Sequence, residues 1–363
     1  MAADADNDAT DLFLSLTPDR VLEAVEASGL RCRPVCYPLN SFENRVYEVE
    51  LEDHSRVVAK FYRPQRWGAE QILAEHEFLA ELAAEDIPVC TMRPFPDGTT
   101  LQRIDRIYYC LSNRRGGRAP DELSDAAIER LGMFIGRMHN VAARRAAPSR
   151  PRLDADHYVR RELAWMELDG TLGAAMKRRY FAAAEQLADL ADELMAGVET
   201  HRIHADLHLG NILFRDGELR VMDFDDFAEG PAVQDLWLAL PGRGRECERQ
   251  RELLLAGYER FRRFERSTLR LIETLRGLRL VRYAGWLARR YHDPAFQAGW
   301  PHFGSDEFWE QETVDLEEQL ATARAEAGQA TPPASGASSP PIAVDEGEEL
   351  LSNKDYFWDW EGD

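Results

Sequence analysis

The chain has 363 residues, 44% of them hydrophobic and 30% charged, enough to bury a sizeable core and to form two domains or one bilobal one. Its formal charge of -21, from 44 basic and 65 acidic residues, argues against non-specific binding to nucleic-acid phosphates or anionic membrane, both of which need a positive field. There is no apolar run long enough to span a bilayer, MAADADNDATD lacks the basic-then-apolar order of a signal peptide, and the five cysteines are dispersed, so a reducing cytosol is expected.

Residues 18–30 have the pattern of a short helix, with Thr17 as N-cap, Pro18 in the first turn and Gly29 as stop. From 31 to 62 the pattern is β: CRPVCYPL, a polar break NSFENR, VYEVEL, a turn at 52–55, then RVVAKFY. Residues 67–85 return to helical period, with Ile72, Phe78, Leu79 and Leu82 apolar. Short strands follow over 88–113, including IDRIYYCLS. Ser124 is placed to cap a helix whose Ile128, Leu131, Ile135 and Met138 share a face. Residues 156–196 predict two helices, 200–227 a β interruption, and 251–265, 267–291 and 306–326 further helices. Residues 327–342, AGQATPPASGASSPPI, have linker composition. An acidic tail carrying Tyr356, Phe357, Trp358 and Trp360 follows; a solvated tail is the default expectation, and docking on Arg243, Arg245, Arg289 and Arg290 or in the substrate cleft are the alternatives. Charge is concentrated at the ends: residues 1–30 carry a net -6 and 344–363 a net -7.

The stretch richest in chemistry is IHADLHLGNILFRDGELRVMDFDDF, residues 203–227. His204, Asp206 and Asn211 have the spacing of a phosphotransfer loop, and Asp223 follows past a hairpin with Asp216 and Gly217 at its turn. Phosphoryl transfer needs positioning more than covalent help. Asp206 can accept a hydroxyl proton, while Asn211 and Asp223 supply the oxygens that Mg²⁺ prefers. Asp225 would share the face of Asp223 on a strand and offers a second ligand. A rival use of the same stretch is a zinc site from His201, His204 and His208 beside Asp206. Lysine is rare: Lys60, Lys177 and Lys354 stand against 41 arginines, which singles out Lys60 at the end of VVAK. A nucleotide lysine needs a carboxylate on the next helix. Glu75 shares the stripe of Ile72, Leu79 and Leu82, with Glu70 and Glu77 as alternatives. No glycine-rich loop precedes Lys60; NSFEN (40–44) stands there, and Ser41 offers a hydroxyl to a phosphate.

These features together resemble the aminoglycoside phosphotransferase and choline kinase-like branch of the protein-kinase-like fold. The resemblance is carried by PLNSFENRVYEVE, VVAKFYRPQRWGAEQILAEHEFLAEL, LGMFIGRMH, IHADLHLGNILFRDG, MDFDDFAEGPAVQDLWLAL and WLARRYHDPAF, spread over most of residues 15–325. It implies an α+β bilobal fold, with a small β-rich N-lobe at 1–113 that includes the N-terminal helix. A larger, mainly helical C-lobe would cover 114–326, ahead of the linker and tail at 327–363. ATP would lie between the lobes, near 107–118. The resemblance places the proton acceptor on Asp206, the magnesium ligands on Asn211 and Asp223, and the ATP-site serine on Ser41, and Lys60 sits where its nucleotide lysine is expected. Its nearest part implies a monomeric cytosolic Ser/Thr protein kinase of a stress response, acting on a protein substrate with ATP and Mg²⁺. Two other readings share these residues: a small-molecule kinase for an amino alcohol or aminoglycoside, with Trp286, Trp300 and Trp309 available for a cation cage, and a catalytically silent binding module. One departure from the family pattern is Ala205, where glycine is more usual; alanine suits the position unless it requires positive φ.

Overall fold

The computed structural model describes residues 12–329 apart from 40, 170, 171, 173 and 216. Helix α1 (Pro18–Glu26) starts where Thr17 accepts a hydrogen bond from the Arg20 amide, with Pro18 in the first turn. Five strands follow: β1 (Cys32–Leu39), β2 (Arg45–Leu51), β3 (Arg56–Phe61) and, after helix α2 (Ala69–Ala84), β4 (Gln102–Ile104) and β5 (Ile107–Asn113). They form one antiparallel sheet in the order β1-β2-β3-β5-β4. Val57, Ala59 and Phe61 of β3 pack with Val49, Tyr109 and Leu111 against Val21 and Val25 of α1. Strand alternation therefore turns Lys60, paired in register with Val46 and Cys110, to the opposite face. That face looks toward α2.

Helix α2 buries Ile72, Glu75, Phe78, Leu79 and Leu82. Phe78, Leu79 and Leu82 join the large core that continues through the rest of the chain, whereas Ile72 packs with Tyr62, Trp67 and Cys110 beneath the sheet. The helix thus stitches the sheet to the helical region. That region contains α3 (Asp125–Ala142), α4 (Arg161–Asp169), α5 (Ala174–Met195), the strands β6 (His201–Ile203), β7 (Ile212–Arg215), β8 (Glu218–Val221) and β9 (Ala228–Gly230), and then α6 (Val233–Ala239), α7 (Gly244–Tyr258), α8 (Ile272–Arg290), α9 (Pro294–Gly299) and α10 (Asp306–Gln329). Two antiparallel pairs, β6 with β9 and β7 with β8, frame the segment 201–230.

Several sequence expectations need correction. The helix expected over 251–265 runs over Gly244–Tyr258 instead, and α6 and α9 were not anticipated. Residues 327–329, expected in the linker, continue α10. The segment after Asp223 is not a strand. Asp223 has φ 58°, and Phe224–Asp226 forms a 3-10 turn. The remaining linker, the acidic aromatic tail and Asp216 of the hairpin turn lie outside the described residues. Three of the arginines proposed to receive the tail already have carboxylate partners: Arg243 with Glu273, Arg289 with Glu162 and Arg290 with Glu43. The tryptophans proposed for a cage are packing groups. Trp300 stacks on Phe296 and meets Phe42 edge-on, Trp286 packs edge-on against Phe296, and Trp309 sits among Tyr180, Phe303 and Phe308.

Helices α3 and α7 approach closely through glycines. A Cβ on Gly132 would overlap the Leu254 carbonyl, one on Gly257 would overlap that of Glu129, and one on Gly136 would stand 2.6 Å from the Tyr258 oxygen. The obstacle in each case is backbone, which cannot rotate away. Gly132→Ala should therefore cost about 3 kcal/mol of unfolding free energy, while Gly328→Ala, which meets open space in α10, should cost nothing. Urea unfolding of both variants checks this.

Candidate active site

A cavity of about 1870 Å³ opens between the sheet and the helical region. Ser41, Lys60, Glu75, Asp206, Asn211 and Asp223 all line it, together with residues 112–115 and 117–121, at the end of β5 and just after it. The side chains singled out from sequence are therefore brought to one place.

The Lys60 ammonium, with its side chain 14% exposed, lies 3.1 Å from Asp225, 3.2 Å from Asp223 and 3.5 Å from Glu75. Burial works against the charge, but Asp225, Glu75 and Asp223 together hold its pKa well above the ordinary lysine value. Burial pushes the Glu75 carboxyl upward, against the pull of Lys60. Tyr62 adds a hydroxyl contact to Glu75 at 3.3 Å and a ring face 4.9 Å from the ammonium. Asp225 was expected to follow Asp223 along a strand. The αL turn at Asp223 makes the two carboxylates converge on Lys60 instead. Asp225 is also held by Arg66 at 2.6 Å and Asn44 at 3.2 Å, which marks it as a counter-ion. Burial would raise its pKa, but Lys60, Arg66 and Arg150 keep it depressed. Arg150, packed 4.3 Å from both Trp67 and Phe227, also donates to the Phe227 carbonyl at 2.9 Å and so braces this turn from behind.

Asp206 sits on the loop after β6, 8% exposed. Arg279 of α8 donates to its Oδ1 at 2.7 Å, and His208 lies 3.6 Å from Oδ2. Burial favours the protonated form, but Arg279 and then His208 outweigh it and hold the carboxyl well below the usual range. The loop hangs from Asp235 of α6. This fully buried carboxylate accepts the His204 and Ala205 amides, each at 2.8 Å, and bonds His139 at 3.0 Å. His204 accepts the Asp206 amide on Nδ1 at 3.2 Å and is therefore placed to donate from Nε2 to the Met222 carbonyl at 2.9 Å. This ties the Asp206 loop to the residue before Asp223. The Met222 amide in turn donates to the Asn211 carbonyl at 3.0 Å. The Asn211 side-chain nitrogen donates to the Asp206 carbonyl at 2.9 Å, which commits the amide nitrogen and leaves its oxygen as the donor for a cation. Asn211 and Asp223 thus present hard oxygens from adjacent backbone, a set suited to Mg²⁺.

The zinc alternative has no such set. His201 bonds the Arg202 carbonyl, His204 is used as above, and His208 accepts the Gly210 amide at 3.0 Å. No cluster of three or more His, Cys, Asp or Glu able to hold a metal occurs among the described residues.

Arg279, Asp235, Arg66, Arg150 and Glu43 were not given roles from sequence. Asp235 lies inside a stretch quoted for the resemblance, but its burial is a tertiary fact. Arg279 bonds a residue 73 positions away and carries no local signal.

These geometries can be set beside known proteins. The profile of the phosphotransferase enzyme family matches residues 36–278, and the chain belongs to that family. Stress response kinase A of Escherichia coli strain K12 is 36% identical over 334 residues, covering 90% of this chain and 99% of that protein. Serine/threonine protein kinase RdoA of Salmonella typhimurium strain LT2 is 36% identical over 314 residues, covering 86% and 95%. Amicoumacin kinase hAmiN, solved with AMP-PNP, Ca²⁺ and Ami, has the same fold, with a TM-score of 0.62 at 21% identity over 82% of this chain and 93% of that one. No described helix is long and apolar enough to cross a membrane.

Ala205 has φ 68°, so the position does require the left-handed conformation that glycine adopts at no cost. Alanine stores strain there because both flanking amides are committed. Ala205→Gly should keep activity and raise unfolding free energy by up to about 1 kcal/mol, relief of strain outweighing the added unfolded-state entropy. Ala205→Val should lose about 2 kcal/mol or more, since β-branching is worst at positive φ. Denaturant melts of the two variants give the comparison.

Proposed function

We propose that this phosphotransferase moves the γ-phosphate of ATP to a Ser or Thr hydroxyl of a protein. The observation that carries the reading is the convergence of Lys60, Asn211, Asp223 and Asp206 on one cavity. Lys60, held by Glu75, orients the α- and β-phosphates, and Ser41 contributes from the loop above. Asn211 and Asp223 are the residues to hold Mg²⁺, which neutralises the phosphate oxygens when bound. The adenine end is the segment at the end of β5 and just after it, residues 112–118. Asp206 stands at the acceptor end, ionised throughout the neutral range. It orients the incoming hydroxyl and takes its proton as the oxygen attacks the γ-phosphorus and the bond from that phosphorus to the β–γ bridging oxygen breaks, releasing ADP. Arg279 keeps that carboxylate in place.

The protein acceptor is favoured over a cationic small molecule by the charge around Asp206. A site for an ammonium ligand needs carboxylates without internal partners. Of the acids lining the cavity, Asp206 is bonded to Arg279, Glu43 to Arg290 and Asp226 to Arg66. The names of the two similar bacterial kinases support the same choice, while the antibiotic kinase of like fold keeps the small-molecule reading as the alternative.

The test uses labelled ATP with Mg²⁺, offered a generic protein acceptor or, separately, choline and aminoglycosides. Label should pass to protein. Asp206→Ala should lower kcat by about a thousandfold or more while the Kd for ATP stays within about twofold. Retained autophosphorylation in that variant overturns the role of Asp206, and transfer only to the amino compounds overturns the protein acceptor.

A further inference from the structure

The loop 41–44 occupies the place of a phosphate-covering loop yet has no glycine, and the structure shows what fixes it instead. Glu43 is 3% exposed. Its Oε2 accepts Arg290 Nε at 2.6 Å and Trp286 Nε1 at 2.7 Å, and its Oε1 accepts Arg290 Nη2 at 2.9 Å. Arg63 stands 3.4 Å and Arg66 3.6 Å from the same carboxylate. Arg63 also donates to the Glu43 carbonyl at 3.1 Å and the Phe42 carbonyl at 3.3 Å, and its amide donates to Asn44 Oδ1 at 3.1 Å. The Phe42 ring packs edge-on against Trp300, with centroids 5.1 Å apart. Trp286, Arg290 and Trp300 all belong to the far side of the cavity, in or just after α8 and α9. A glycine-rich loop meets its ligand through local freedom. This one is bolted across the cleft by a buried ion cluster.

We propose that Glu43 is a positioning residue for the nucleotide phosphates: bonded to Arg290 and Trp286, it holds the 41–44 loop, and with it Ser41, over the phosphate end of the cavity. The proposal rests on the nucleotide reading above. Its consequence is selective. Loosening the anchor weakens ligands that carry phosphates and leaves the adenosine portion untouched, because that portion binds at residues 112–118. A purely structural role would weaken both alike.

The test is calorimetric binding of adenosine, ADP and ATP, with Mg²⁺ present, to the full chain and to Glu43→Gln and Trp286→Phe. The first variant removes the charge. The second removes one N–H donor, keeps an aromatic ring in place, and remains informative where the first fails to fold. Kd for ADP and ATP should rise about tenfold in Glu43→Gln and about threefold in Trp286→Phe, with Kd for adenosine within about twofold. KM for ATP should rise in parallel, with kcat changed less. Equal weakening of adenosine and ATP, or unchanged ATP affinity in the folded variants, overturns the positioning role. A wild-type protein that binds adenosine as tightly as ATP overturns the nucleotide reading itself, and the proposal with it.

Discussion

Lys60 is a buried ammonium, and a buried ammonium is tolerated only among carboxylates. The three that surround it come from two places: Glu75 from α2, and Asp223 and Asp225 from the turn after β8. Meeting that electrostatic demand pins α2 beneath the sheet and draws the turn at 223–226 up against it. The apolar packing of Phe78, Leu79 and Leu82, on the same buried stripe of α2, then commits the helix to the larger core. One charge on the inner face of β3 therefore ties the sheet to the helical region along the cleft.

The same logic repeats with arginine. Arg66 closes on Asp225 and Asp226, Arg279 on Asp206, Arg290 on Glu43, and Arg282 and Arg289 on Glu162. The planar guanidinium satisfies a carboxylate at two points and stays charged when buried, which an ammonium does less readily. A chain with 41 arginines and three lysines uses arginine as its internal cross-link. The excess acidity seen in the composition is largely terminal; in the cavity, Glu43, Asp206, Asp225 and Asp226 each face an arginine.

Much of the site was legible before folding. His204, Asp206, Asn211 and Asp223 are close in sequence and obey a spacing, so their chemistry can be inferred from types and intervals. Glu75 was reached from helical period, since an acid on an apolar stripe demands a cation. Ala205 was flagged as harmless unless the backbone needs positive φ, a question that only the backbone answers, and the answer is φ 68°. The misplaced helix at 251–265 and the strand expected after Asp223 share a cause. Short segments next to turns follow tertiary hydrogen bonds more than local pattern.

Sequence alone determined the β-then-α order of the chain, the spaced motif of His204, Asp206, Asn211 and Asp223 and the lysine at the end of a strand, because periodicity and short-range spacing encode them. The tertiary structure decided the partners across the cleft: Asp235 under the Asp206 loop, Arg279 on Asp206, and Glu43 beneath Arg290 and Trp286. Those contacts join residues 30 to 247 positions apart. No local pattern marks them, because an arginine or a glutamate is written the same way whether it ends in solvent or in a buried pair, and burial is decided only when distant elements pack.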